Sequence, residues 1–496
     1  MLTFTIIVPL LGALALALAR NIRERQARMI AIGIALVPLL ALFVVWLGFA
    51  SGPQAPAFQA VEDVPWIPTL GVAWTLGVDG LSLALALLTA LLSVAAIAWP
   101  VDSGQRVRQY YAWFLFLEGV SLGLFLTLDL LIFYVFFDLS LVGMYFLIGR
   151  WGHGDARRAA FKFFIYTLVG SLAILLAILG LALASDPLTF DMRELIARQP
   201  LAGMGMTATL VYLGFVVGFA VKTPLFPLHT WLPPAHVEAP GPASAILAGV
   251  LLKMGTYGLI RIPFSMLRET FAAWALPLAV LALVSILWGA LVAFGQNNLK
   301  RRIAYTSVNH MGYAVLGIAA AGSMLDGHEA ARQLALTGAI VEMVAHGLIT
   351  GALFLIAGAF WQRGQEYDLD AYGGLARVAP MLAAAMIVAS FASLGLPGLA
   401  GFVAEFQVFV GSFAMYPWIT GIGLLGILIT AALFLDLIQR LFFGDMPARW
   451  RDFADLGGAE KAILGVLSLL VVIIGIYPRW LLALVETGSA MLVGGL

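Results

Sequence analysis

The sequence predicts an all-α polytopic membrane protein of about fourteen transmembrane helices. Three observations carry that prediction. Apolar runs of about 20 residues, the length that spans a bilayer core, recur from one end of the chain to the other. Of the 496 residues, 62% are hydrophobic and only 11% are charged, with a mean hydropathy of +1.00; soluble domains carry about 25% charged residues. Lysine and arginine crowd alternate connections between the runs, which is the bias of cytoplasmic loops.

The same composition excludes several functions. Lys plus Arg and Asp plus Glu each number 27, so nothing electrostatic draws the chain to nucleic acid. Without cysteine there is no disulfide, no iron–sulfur ligation and no thiolate zinc site in this chain. The six histidines are scattered rather than spaced as metal ligands, and no glycine-rich phosphate loop follows a strand-like run. The chain is expected to hold no cofactor; any redox centre that works with it sits elsewhere.

The first run, 2–19, has no basic residue before it and Arg20, Arg23, Arg25 and Arg28 after it. A signal peptide carries its charge in front, so this is a retained first helix with its N-terminus outside. Further spans follow at 29–50, 75–99, 110–128, 130–149, 158–184, 207–232 (broken), 240–262, 272–295, 303–323, 333–360, 379–413 (broken), 416–443 and 460–480. The stretch Ser51–Trp74, with Pro53, Pro56, Pro65 and Pro68, reads as a loop, and so does Ser185–Met206. No soluble domain is inserted, and the chain is expected to stop soon after the last span. In this frame the cytoplasmic connections hold nineteen Lys and Arg, the cluster Lys300, Arg301 and Arg302 among them. The outer connections hold six, namely Arg193, Arg198, Arg261, Arg268, Arg332 and Arg479. An even number of spans puts both termini on the outer, periplasmic side.

Two spans are interrupted. Gly218–His236 carries Lys222 and then Pro224 and Pro227. Proline removes a helix donor, and a broken helix survives at membrane depth only when buried in protein or lining a cavity. An ammonium at a helix centre costs roughly 2.5–3.5 kcal/mol in hydrocarbon, so Lys222 must face protein or water. The second break is Leu394-Gly395-Leu396-Pro397-Gly398-Leu399, followed closely by Glu405. The breaks fall in the seventh and twelfth spans, which predicts inverted five-helix repeats, spans 4–8 and 9–13, with ion sites at the breaks. The chain divides accordingly into 1–109 (helices 1–3), 110–262 (first repeat), 263–443 (second repeat) and 444–496 (a loop and the last helix).

Ionisable residues also stand within spans: Asp138 among aromatics, Lys222, Lys253, His310, Glu342, His346 and Glu405. Burial drives a lone charge toward its neutral form and an opposite charge restores it, so Asp138 and Lys222 are expected to compensate one another, with Lys253 the next stop. Blander roles compete. The Asp138–Lys222 pair serves equally as a structural staple, and a single histidine is more often a helix–helix hydrogen bonder. Glu342 and His346, four apart, are placed to bond each other, and Asp436 and Arg440 to form an i,i+4 ion pair. His229 and His236 flank Trp231 and Pro233, where they face the cytoplasmic rim or cap the broken helix. Together the buried groups form a relay of titratable residues across the membrane's middle.

These stretches match a known family. Phe133–Asp138, Ala220–Ala239, Ala248–Gly258, Ile303–Tyr313 and Leu396–Phe406 together resemble the antiporter-like subunits of respiratory complex I (NADH–quinone oxidoreductase), the subunit M branch above all. Leu76–Ser82 is similar to the family as well. Glu405 stands where sister subunits place a lysine, and no long C-terminal extension of the subunit L kind is expected.

The resemblance implies an antiporter-like fold with an uptake half and an exit half. It implies protons moving through Asp138, Lys222, Lys253, His310, His346 and Glu405, with His229 and His236 at the uptake rim. It places FMN, iron–sulfur clusters and quinone in partner subunits, and L-, N- and K-like membrane subunits as neighbours in a bacterial inner membrane. A cation/proton exchanger of the Mrp type, a hydrogenase-linked membrane arm and a non-pumping spacer stay open as alternatives. The chain departs from the family pattern at Asp138, usually glutamate, at Pro234, at Gly241-Pro242-Ala243, and at Asn298 and Asn309.

Overall fold

The structure is a computed structural model, and it describes residues 1–19, 22–52, 54–101, 106–325 and 327–494; Arg20 and Pro53, used above, lie outside the described residues. Helices α1 (Leu2–Leu18), α2 (Glu24–Leu47), α3 (Gly80–Ala98), α4 (Val107–Leu126), α5 (Leu130–Trp151) and α6 (Ala156–Leu183) come first. After the short α7 (Met192–Arg198), the seventh span breaks into α8 (Gly205–Lys222) and α9 (Leu232–Glu238). The eighth is one rod, Gly241–Phe264. It is built from α10 (Gly241–Ile246) and α11 (Lys253–Leu259) with widened π turns at Leu247–Leu251 and Ile260–Phe264. Then come α12 (Arg268–Phe294), α13 (Leu299–Ala321) and the 36-residue α14 (Glu329–Gly364). The twelfth span breaks into α15 (Pro380–Ser393) and α16 (Ala400–Met415), and α17 (Pro417–Phe442), α18 (Gly458–Ile476) and α19 (Arg479–Gly494) close the chain. Each of the fourteen predicted spans thus corresponds to a helix, a rod or a broken pair.

Three expectations are corrected. The stretch 51–74 is not all loop: β1 (Gln59–Ile67) and β2 (Val72–Val78) form an antiparallel hairpin, so the third helix starts at Gly80 rather than at 75. The hairpin is anchored at both sides, which its prolines hid. Glu62 accepts the N–H groups of Leu2 and Thr3 at the start of α1, and the Thr75 carbonyl accepts from the Leu128 N–H. The stretch 185–206 contains α7, whose first turn is capped by Asp191. After the last predicted span a further helix, α19, folds back on α14, where Thr337 and Ser489 hydroxyls meet at 2.6 Å.

Burial sorts the helices. Every residue in the most apolar stretch of Gly241–Phe264 and of α14 is buried, against 22% for α2 and 28% for α18. A helix covered on all sides by protein shelters every ionisable group it carries from lipid. These two rods carry Lys253, Glu342 and His346.

Candidate functional site

The first break is positioned by satisfied backbone. The Val221 carbonyl, freed at the end of α8, accepts the Trp231 indole N–H at 2.9 Å; the Leu225 N–H returns to Ala220, and the Phe226 N–H is taken by Ser285 on α12. With these backbone groups satisfied, the break holds Lys222 at the last position of α8, 1% exposed. The Lys222 ammonium donates to Ser140 Oγ at 3.0 Å and lies 4.8 Å from the Phe137 ring centre.

Asp138 makes no ion pair among the described residues. It is half-buried, lies near the Tyr134 hydroxyl one helical turn away, leaves one oxygen without a partner, and acts on Lys222 only through space. The expected compensation of Lys222 by Asp138 thus acts through space and not by a direct ion pair. Aspartate is one methylene shorter than glutamate, and Ser140, two residues on, takes the ammonium instead.

Lys253 follows the widened turn 247–251. A π turn offsets the ladder of backbone bonds, and the Ala248 carbonyl accepts the Lys253 ammonium at 2.6 Å. The same nitrogen lies 2.6 Å from His346 Nδ1 on α14, and both residues are buried. An amine and an imidazole this close share one proton, which rests on either.

The chain of groups continues. The rings of His346 and His310 are centred 5.7 Å apart. His310, on α13, lies with Nε2 3.0 Å from Ser393 Oγ and Nδ1 between two carboxylates, Glu342 at 3.2 Å and Glu405 at 3.6 Å. Glu342 thus bonds His310, not His346 as their spacing suggested: across the bundle α13 comes closer than the next turn of α14. Asp436 and Arg440 do meet, at 3.7 Å, but Asp436 bonds Arg302 more tightly, at 2.6 Å.

The second break seats Glu405. Gly395 and Gly398 have φ of +75° and +92°, conformations that glycine adopts without strain. The Glu405 carboxylate fills the very space a Cβ on Gly395 would need. Beyond it a cavity of 510 Å³, walled by Phe402, Phe406, Phe409 and Phe413, opens to the outside of the bundle.

His229, on the first break, packs between Phe226 and Tyr305, 5% exposed. His236 is 0% exposed and stacked on Phe354, so it lies inside the protein rather than at a rim. The structure also buries residues assigned above to connections: Lys300 and Arg302 in the first turn of α13, and Arg261 against Asp79 at 2.6 Å. Of the run Lys300-Arg301-Arg302, only Arg301 is exposed. Ser140 and Ser393 had no signal beyond their nearness in sequence to Asp138 and to the second break. Among the described residues no cluster of His, Asp and Glu is arranged to hold a metal ion.

A family described as NADH:quinone oxidoreductase/Mrp antiporter, TM, matches residues 127–430. The chain is 39% identical to NAD(P)H-quinone oxidoreductase chain 4 2 of Thermosynechococcus vestitus, covering 96% of this chain and 89% of that one. It is 36% identical to NADH-quinone oxidoreductase subunit M of Rhodobacter capsulatus, covering 99% and 96%. Its fold superposes on a chain of respiratory complex I from Thermus thermophilus with a TM-score of 0.88, at 32% identity and 100% coverage of both. A chain of the Mrp complex from Dietzia sp. shares the fold, with a TM-score of 0.86 at 23% identity over 99% and 97% of the two chains. With the antiporter-like fold, the buried ionisable chain and these relatives agreeing, the protein belongs to the NADH:quinone oxidoreductase/Mrp antiporter transmembrane family, among the chain 4 and subunit M members of complex I.

Proposed function

We propose that this chain moves protons across a bacterial inner membrane as a subunit of a proton-pumping NADH:quinone oxidoreductase, through Lys222, Lys253, His346, His310 and Glu405, with Asp138 setting the charge state of Lys222. The observation that carries the reading is the succession of contacts from Lys253 through His346 and His310 to Glu405, in the most enclosed part of the bundle. Residues 110–262 form the uptake half, with His229 and His236 on its cytoplasmic side, and residues 263–443 the exit half. Both termini are periplasmic. Electron transfer takes place on FMN, iron–sulfur clusters and quinone in partner subunits, and L-, N- and K-like subunits flank this one in the membrane.

In this scheme the proton shared by Lys253 and His346 passes to His310 across a gap that one water molecule bridges. His310 holds it at Nδ1 between Glu342 and Glu405, and Glu405 releases it to the aromatic-walled cavity. Ser393, at Nε2, fixes which ring nitrogen carries the hydrogen in the resting ring. Moving one charge against 100 mV requires about 2.3 kcal/mol. Making or breaking one buried charge contact is of that size. A shift of Asp138 relative to Lys222, driven from the neighbouring subunit, would make or loosen such a contact.

Lys253→Met tests the reading. The complex carrying it is expected to assemble, to transfer electrons from NADH to quinone slowly, and to pump severely less in proteoliposomes. Normal turnover with a normal proton-to-electron ratio removes Lys253 from any relay.

A further inference from the structure

The relay proposed above runs through Lys222 and Lys253, and the buried lysine nearest the cytoplasmic ends of the helices, Lys300, has no part in it. On that side a cavity of 630 Å³ opens beneath the α5–α6 connection and the end of α14, with Arg28, His153, Gln362, Gln365 and Tyr367 giving it polar walls. Its floor is Pro240-Gly241-Pro242. Gly241 lies so close to α14 that a Cβ there would stand 2.7 Å from the Gly358 Cα, which thins the floor to bare backbone.

Lys300 is 0% exposed. Its ammonium donates to the carbonyl of Ala239, the residue before that floor, and lies 5.4 Å from the centre of the Tyr367 ring. Among the described residues no carboxylate comes within 4.0 Å of it. A structural lysine at this depth is normally paired, because an unpaired buried ammonium is costly. The charged and titratable groups around it are Glu238 and His236 on α9, His153 and Tyr367. His153 stacks on Trp361 at 4.0 Å with Nε2 buried and unpartnered. Burial first, and the Lys300 charge second, push its pKa down to about 4, so at neutral pH it offers one acceptor and one donor nitrogen. His236, also without a partner on either ring nitrogen, feels both Lys300 and Lys253.

We propose that this cavity is the vestibule through which protons reach the relay, with Lys300 as first acceptor and His236 as the carrier from Lys300 to Lys253. A water in the vestibule protonates the Lys300 amine and leaves hydroxide to the cytoplasm. The Lys300 ammonium then protonates one nitrogen of neutral His236, and the opposite nitrogen releases a proton to the Lys253 amine, so each donor loses what its acceptor gains.

The chain has no cysteine, which makes a block of the vestibule selective within this subunit. Gln362→Cys, in the intact complex in inverted membrane vesicles, is treated with a bulky cationic thiol reagent, and pumping per electron is compared with the same variant untreated. The otherwise unaltered complex receives the same treatment, to subtract cysteines of other subunits. Modification is expected to lower pumping about tenfold or more, the range of a lost proton-transfer step. Lys300→Met is expected to lower it similarly, and Lys300→Arg to leave it low, because guanidinium does not give up its proton. Complete modification of the introduced thiol with unchanged pumping overturns the proposal, whether or not the Lys300 variants assemble. The inference rests on the relay reading, and Lys253→Met run in parallel separates the two. If Lys253→Met pumps normally the relay fails; if it is inactive while modified Gln362→Cys pumps normally, only the vestibule fails.

Discussion

An alanine at Gly395 is the sharpest test of how Glu405 is held. The substitution carries two penalties. A left-handed φ of +75° costs an L-residue roughly 1–2 kcal/mol. The new methyl also falls on the Glu405 carboxylate, which must leave the place that sets it 3.6 Å from His310. Gly398, in the same break at φ +92°, has no atom within 4 Å of its Cβ position, so Gly398→Ala carries the first penalty alone. A displacement of about 1 Å in a reacting group lowers rates by about 10²-fold. Gly395→Ala is therefore expected to pump far less than Gly398→Ala at equal assembly. The assay is acidification of inverted vesicles energised by NADH, read with a pH-sensitive dye and normalised to electron flux. Equal pumping by the two variants would refute the idea that the Gly395 backbone seats Glu405.

Two predictions concern stability. Arg261 and Asp79 are paired at 2.6 Å with side chains 1% and 7% exposed, so Arg261→Met is expected to destabilise the subunit by about 3–5 kcal/mol by stranding Asp79. Thermal unfolding of the solubilised complex reads this, and Arg261→Met with Asp79→Asn should recover part of the loss; an unchanged melting curve for the single variant contradicts it. Burial alone would raise the Glu62 carboxyl, but the N-terminal ammonium, the Thr3 hydroxyl and the Thr3 and Leu2 N–H groups hold it at about 2, below its usual 4.5. A depressed acid contributes stability that is complete above 4.5 and lost as pH falls toward 2. The difference in melting temperature between the parent and Glu62→Gln should stay flat from about pH 7 to about 5 and shrink below that; a difference that widens on acidification would rule this out.

The architecture was legible because it follows from composition along one dimension. Runs of apolar residues mark helices, prolines and glycines mark the breaks at Pro224 and Gly395, and an ion in such a run, Lys222 or Lys253, is anomalous wherever it falls. The β1–β2 hairpin was hidden because its prolines read as loop, and it is held by contacts to distant helices rather than by its own pattern; α19, which follows Pro478 beyond the last predicted span, packs on α14 through Thr337 and Ser489.

Pairing was decided by packing alone. Glu342 has His346 four residues away on its own helix, yet it bonds His310, because α13 delivers that ring between Glu342 and Glu405. Lys222 donates to Ser140, while Asp138 acts on it only through space. Lys300 and Arg301 are adjacent and alike in sequence, but they point about 100° apart on a helix, one into protein and the other into water. Periodicity and charge determine by themselves that an ion within an apolar run, such as Lys253, is buried at cost; the burial of an ion at a span's end, such as Lys300, and the partner that meets any such cost depend on the distances between helices that only the folded bundle sets.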